Sequence, residues 1–223
     1  MTQTPPVKHY SAHAFLIMVG ALFLAGCQTV YYGAMEQIGV EKRDILVDRV
    51  DDAREAQQDA REQFSSALDK FIAVTNYQGG DLEKQYRILK DEYEESNARA
   101  EAVHDEILSV EDVASALFKE WGEEITQYSS RELRRASEQQ LTATKKSYSK
   151  LMQAMKAAEK KIGPVLAAFN DRVLFLKHNL NANAIASLKT QGQSVETDIQ
   201  SLIKDMNASI AEADSFIKAM SNE

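Results

Sequence analysis

An all-α fold, an elongated antiparallel bundle or coiled coil of four or five long helices, is predicted by three features of this sequence. Beyond residue 26 the 197 remaining residues hold only seven glycines and one proline, Pro164, so little interrupts a helix. Apolar residues recur in alternating steps of four and three through nearly every segment, the spacing that keeps one stripe of a helix against a neighbour. Four of the seven glycines and the proline gather at Gln78-Gly79-Gly80-Asp81, Gly163-Pro164 and Gln191-Gly192-Gln193, as turns between rods would.

The leader comes first. Residues 1–26 contain no acid and one lysine, Lys8, followed by the apolar run Phe15 to Leu24. That run is half the roughly 20 residues a bilayer span needs, and it has the layout of a signal peptide. It ends in Leu24-Ala25-Gly26-Cys27, with the only cysteine of the chain. Ala25 and Gly26 are small enough for a peptidase to grip extended backbone, and the Cys27 thiolate is a nucleophile for diacylglycerol. The stretch resembles the lipobox of bacterial lipoprotein precursors, which implies cleavage between Gly26 and Cys27 and lipid attachment at Cys27. The division expected is a leader over 1–26, a lipid-anchored N-terminus over 27–30 and one helical domain over 31–223. Each buried lipid methylene contributes about 0.8 kcal/mol, so two or more chains hold a protein to its membrane. By the same resemblance Gln28, where lipoproteins kept in the inner membrane often carry aspartate, favours the outer membrane facing the periplasm. With its one cysteine acylated the chain forms no disulfide, and stability must come from packing.

The body is acidic. Its 25 Lys and Arg against 34 Asp and Glu give a net charge of −9, which argues against a nucleic-acid partner and against general adhesion to anionic lipid. Val30-Tyr31-Tyr32 would either rest at the membrane surface, where aromatic rings tolerate a half-wet setting, or be packed. The first helix is expected from Tyr31 to Tyr77, with its seam at Leu46, Val50, Ala53, Gln57, Ala60, Phe64, Ala67, Phe71 and Val74. Gly79 and Gly80 can take the left-handed backbone that reverses a chain.

The second helix is expected from Leu82 to Tyr128, about 70 Å long at 1.5 Å per residue. Ser109 with Asp112 looks like a capping box and leaves a break there open, although the seam through Val103, Ile107, Val110, Ala114 and Leu117 holds one phase. Ser129 with Glu132 offers the next cap. A third helix follows with Leu133, Ser137, Gln140, Tyr148, Leu151, Met155, Ala158 and Ile162 on one face. Gly163-Pro164 should kink or restart it. Val165 to Leu188 is apolar on nearly every side and is expected to be the most enclosed helix. Ser194 can cap a last helix with its seam at Val195, Ile199, Leu202, Met206, Ile210, Ala213, Ile217 and Met220.

Three phrases, Val110-Glu111-Asp112-Val113-Ala114, Ser137-Glu138-Gln139-Gln140-Leu141 and above all Val173 to Ala182 around His178, resemble a bacterial lipoprotein family of unknown role, domain of unknown function 2959. The resemblance covers nearly the whole body. It implies an all-helical, lipid-anchored envelope protein and carries over no functional residues.

No catalytic set is expected. Beyond the leader the only histidines are His104 and His178, with no HExxH spacing, no phosphate loop and no GxSxG elbow, so neither a metal nor a cofactor is implied and an enzyme is not expected. Lys177, His178, Asn179 and Asn181 form one polar cluster on an apolar helix; the simpler reading is that they cap the helix or satisfy each other. His104, one place off the seam, reads as a solvated residue. Charge is uneven: Asp81 to Tyr128 carries 14 acids and 5 bases, while Ser129 to Ile162 carries 3 acids and 9 bases. Two adjacent antiparallel helices would let these complement one another, each exposed pair adding a few tenths of a kcal/mol. Facing residue numbers should then sum to roughly 258, placing Arg134 and Arg135 by Glu123 and Glu124, Lys145 and Lys146 by Glu111 to Val113, and Lys160 and Lys161 near Ala98 and Asn97. Alternatively Arg131, Arg134, Arg135, Lys145, Lys146 and Lys150 form a basic stripe, within 131–161, for an anionic envelope polymer or a partner helix. The function expected is a non-enzymatic spacer or interaction scaffold, with such a binding module as the alternative and an envelope hydrolase a distant third.

Overall fold

A computed structural model describes residues 41–77 and 80–221. The chain divides into two units at residues 44 and 45; Gly26, Cys27, Val30-Tyr31-Tyr32, the start of the first helix at Tyr31, and Gln78-Gly79 lie outside the described residues. Among the described residues there are four helices, α1 (Lys42–Thr75), α2 (Leu82–Ile125), α3 (Arg131–His178) and α4 (Ala182–Ser221).

Neighbours are fixed by side chains that cross between helices. Gln63 on α1 donates to the Glu92 carboxylate on α2 at 2.8 Å. The Trp121 indole on α2 donates to Ser137 on α3 at 2.8 Å, and Lys161 on α3 reaches Asp205 on α4 at 2.7 Å. Arg61 on α1 closes the ring by donating to Asn207 on α4 at 3.2 Å. Partners run in opposite senses along each adjacent pair, as Arg99 with Asp59 and Arg54 with Asp214 also show, so unit 45–223 is an up-down-up-down four-helix bundle.

The core follows the seams. All nine seam residues expected in α1 are buried, because a stripe repeating every three and four residues must leave water on every turn if it leaves on any. Phe71 on α1 and Tyr93 on α2 both meet Phe169 of α3 edge-on, with ring centroids 6.2 and 6.3 Å apart, and join three helices into one aromatic cluster. Asp81 caps α2 by accepting from the Lys84 N–H at 3.0 Å. Gly80 has a φ of +118° with the Tyr77 hydroxyl 2.2 Å from where a Cβ would stand, so only glycine fits this turn.

α2 runs unbroken through Ser109, as the single phase of its seam predicts, because the buried stripe of Val103, Ile107, Val110, Ala114 and Leu117 continues across it. Several other expectations are corrected. α3 runs unbroken through Gly163-Pro164. The proline costs a backbone hydrogen bond, but Lys160, Gly163 and Pro164 all lie on the exposed face, while Ile162, Val165 and Leu166 keep the opposite side packed. The chain breaks instead at Asn179–Asn181, and α4 begins at Ala182 rather than Ser194. Gly192 is an interior helix residue, buried, with the Phe71 ring 2.8 Å from where its Cβ would be; the missing side chain serves close approach of α4 to α1, not a turn. The span 165–188 is therefore not one helix, nor fully enclosed: Leu174, Phe175 and Leu180 stay 46%, 40% and 43% exposed at the α3–α4 turn. Leu133, expected in the α3 seam, is 59% exposed. The cap of α3 is Ser130, one residue later than expected, accepting from the Leu133 N–H at 3.3 Å.

Candidate functional site

The polar cluster around His178 resolves into caps. The Asn179 side chain donates to the Phe175 carbonyl at 2.9 Å, and the Asn181 side-chain Oδ1 accepts from the Ala184 N–H at 3.0 Å. One asparagine closes α3 and the other opens α4, as these side chains do at helix ends. Lys177 and His178 are exposed in the last turn of α3, where positive charge meets the negative end of the helix dipole. Nothing brings the four together around a common point.

The basic stripe is different. Arg131, Arg134, Arg135, Lys145, Lys146 and Lys150 are all exposed. Arg134 turns back to donate to the Tyr128 carbonyl at 2.8 Å, and Lys145 lies 5.5 Å over the Phe118 ring. Among the described residues none of the six forms an ion pair; the cations of α3 that do are Lys156, with Glu111, and Lys161, with Asp205. The expected register is thus only partly found. Trp121 with Ser137 obeys it near the turn, whereas Glu111 is met by Lys156 instead of Lys146, and Lys161 faces α4 instead of Asn97. The helices keep level at the turn, where α2 stops at Ile125 and α3 starts at Arg131; the lysines miss because at 100° per residue Lys146 stands on the face of α3 opposite its buried stripe, away from Glu111, and Lys161 stands on the side toward α4.

His104 has a partner that the sequence did not reveal. Its Nδ1 lies 2.6 Å from the Glu159 carboxylate on α3, at the rim of a shallow α2–α3 groove of about 470 Å³ lined by Ala100, Ile162, Gly163 and Leu166. The one available signal was Glu159 itself, an acid inside a run of bases. The hydrogen bond to Glu159 raises the His104 pKa above its usual 6.5, partial burial opposing and the Glu159 and Asp105 charges adding. Because the folded-state pKa is the higher one, the bridge contributes fully below about pH 6.5 and is lost as pH rises through the raised value. An NMR titration of His104 should show this as a midpoint above the free value that falls toward it in Glu159→Gln; an unchanged midpoint would deny the bridge.

Other chemistry is sparse. Tyr148, half-buried edge-on to Phe118 at 5.3 Å, has its pKa pushed up to about 12 by burial and by Glu111, so it stays neutral. Gln57, Ser96 and Ser209 are fully buried with side-chain atoms that meet no partner. Ser209 escaped the sequence reading because the strict heptad phase selects Ile210 beside it. Among the described residues no group of three or more His, Cys, Asp or Glu side chains is placed to hold a metal ion, and no helix is long and apolar enough to cross a membrane.

The class so defined is an all-helical antiparallel bundle with a cationic ridge along one helix. Residues 31–220 match the family described as protein of unknown function (DUF2959), and the chain belongs to that family. No curated protein matches it, and no solved structure does.

Proposed function

We propose that this protein is a lipid-anchored, non-enzymatic spacer or interaction scaffold of the bacterial cell envelope. The observation that carries the proposal is Leu24-Ala25-Gly26-Cys27 at the end of an apolar leader: the leader over 1–26 is removed, Cys27 is acylated, and Gln28 directs the chain to the outer membrane with its body in the periplasm. The helices suit the role. At 1.5 Å per residue α2, α3 and α4 are about 60 to 70 Å long, and side by side they make a stiff rod. To test the anchor, Cys27 is replaced by Ser and the cells are fractionated: the wild type should sediment with membranes, while the variant should keep its leader or leave the membrane. Equal processing and equal membrane association of both would refute the anchor.

A second reading has an observation of its own. Cations without ion pairs at Arg131, Arg135, Lys146 and Lys150 favour a ridge that binds an anionic envelope polymer or an acidic partner helix. A hydrolase reading draws little support from a single exposed His–carboxylate pair without a positioned nucleophile.

A further inference from the structure

The outer face formed by α2 and α3 carries two parallel rows, the α3 row mainly basic and the α2 row mainly acidic, with the signs exchanged at one level by exposed Glu138 on α3 and exposed Lys119 on α2. α3 turns its Leu151, Met155, Ala158 and Ile162 inward; at 100° per residue, Arg131, Arg135, Lys146 and Lys160 fall on the opposite side, and all four are exposed and without an ion pair among the described residues. α2 turns Val103, Ile107, Val110 and Ala114 inward, which sends Glu101, Asp105 and Glu123 outward, also exposed and outside any ion pair among the described residues. Leu108, 47% exposed, stands between the two rows.

The rows are in step. His104 with Glu159 fixes the level at which Lys160 stands beside Glu101 and Asp105, and Trp121 with Ser137 fixes the level at which Arg135 stands beside Glu123. Within one chain these groups point away from the bundle and do not meet. Across a two-fold axis parallel to the helices they would, because such an axis lays the α3 row of one copy on the α2 row of the other at the same height, and does so twice.

We infer that the α2–α3 face is a docking surface for a second copy of this chain, in which Lys160 meets Glu101 and Asp105 and Arg135 meets Glu123 of the other copy. Charge complementarity selects the occupant: an anionic polymer would lie along the α3 row but against the acids of α2. An axis along the bundle leaves both copies entering their bundles at the same end, so both can be anchored in one membrane. Only the shared anchoring rests on the lipid-anchor reading; the pairing of faces and their common direction do not.

The test uses the full chain in detergent micelles, prepared as an equal mixture of ¹⁴N- and ¹⁵N-labelled copies and treated with a lysine-to-carboxylate crosslinker at low ionic strength. Hybrid links, each joining a light to a heavy copy, should connect Lys160 to Glu101 or Asp105. They should fall roughly tenfold or more in Arg135→Glu/Lys146→Glu and equally in Glu123→Lys, which leave the linked Lys160, Glu101 and Asp105 in place, with helical content unchanged because every substitution is exposed. Mixing the two charge-reversed forms should restore them, since each row then meets its opposite again. Links confined to copies of one isotope, hybrid links indifferent to charge reversal, or failure of the mixture to recover would each overturn the inference. Cys27→Ser measured the same way keeps the two readings apart: hybrid links should persist even if the anchor is lost.

Discussion

Phe169→Ala should lower the unfolding free energy by about 3–5 kcal/mol, the usual loss for deleting a buried aromatic ring. Phe169 is 1% exposed and receives Phe71 from α1 and Tyr93 from α2 edge-on, so its removal opens a cavity between three helices and ends two ring contacts. Backbones held by long seams above and below the gap cannot close over it, so the loss belongs at the upper part of the range. Urea denaturation followed by circular dichroism measures it, with Leu133→Ala, exposed by 59%, as the reference change within about 0.5 kcal/mol. A cost for Phe169→Ala no greater than that of Leu133→Ala would mean that this cluster is not where the helices meet.

Gly192→Leu should also destabilise the bundle, by less, through overfilling rather than emptying. A Cβ alone would stand 2.8 Å from Phe71 Cε1 and 3.1 Å from Cζ, and a leucine adds three more carbons where α4 lies against α1. Overpacked cores lose about 1–3 kcal/mol, occasionally more, which here outweighs the roughly 1 kcal/mol that replacing a helical glycine returns. Two comparisons locate the cause. Gly122 on α2 has nothing within 4 Å of its would-be Cβ and no proline after it, so Gly122→Ala should raise stability by up to about 1 kcal/mol. Combining Gly192→Leu with Phe71→Ala should cost less than the two losses added, since one change makes room for the other. Strict additivity in the same urea experiment would show that Gly192 and Phe71 do not touch.

Gly80 and Gly192 show where the sequence could and could not be read. The stripes of α1 and of the middle of α2 were legible because burial repeats at the period of the helix: Leu46, Val50, Phe64 and Phe71 each repeat the same instruction. Gly80 was legible too, since it follows a glycine and precedes a capping aspartate. Gly192 carries the same letter for the opposite purpose, and only the ring of Phe71, more than a hundred residues away, distinguishes a turn from a close approach. Pro164 misled similarly; whether a proline ends a helix depends on whether its carbonyl partner faces solvent, which the order of residues does not state. The Asn179–Asn181 break was hidden inside an apolar run that looked continuous. Leu133, Leu174, Phe175 and Leu180 show the limit of periodicity near helix ends, where a hydrophobic residue stays exposed once no neighbour covers that turn.

The site was less legible than the fold for the same reason. Local sequence revealed the basic stripe and the capping role of the asparagines, both properties of one helix. The His104–Glu159 bridge, and the failure of Lys146 to meet Glu111, depend on how α3 is turned about its own axis against α2. That rotation is set by packing at Phe118, Trp121 and Tyr148, which no single segment reports.

The lipid anchor is the claim on which the proposed role stands, and the mass of the intact protein extracted from membranes tests it most directly. The account predicts a chain that begins at Cys27, has lost residues 1–26, and is heavier than its amino acids by a diacylglyceryl group, with or without a further acyl chain on its new N-terminus. A chain that begins at Met1, or that begins at Cys27 with an unmodified thiol, would contradict it.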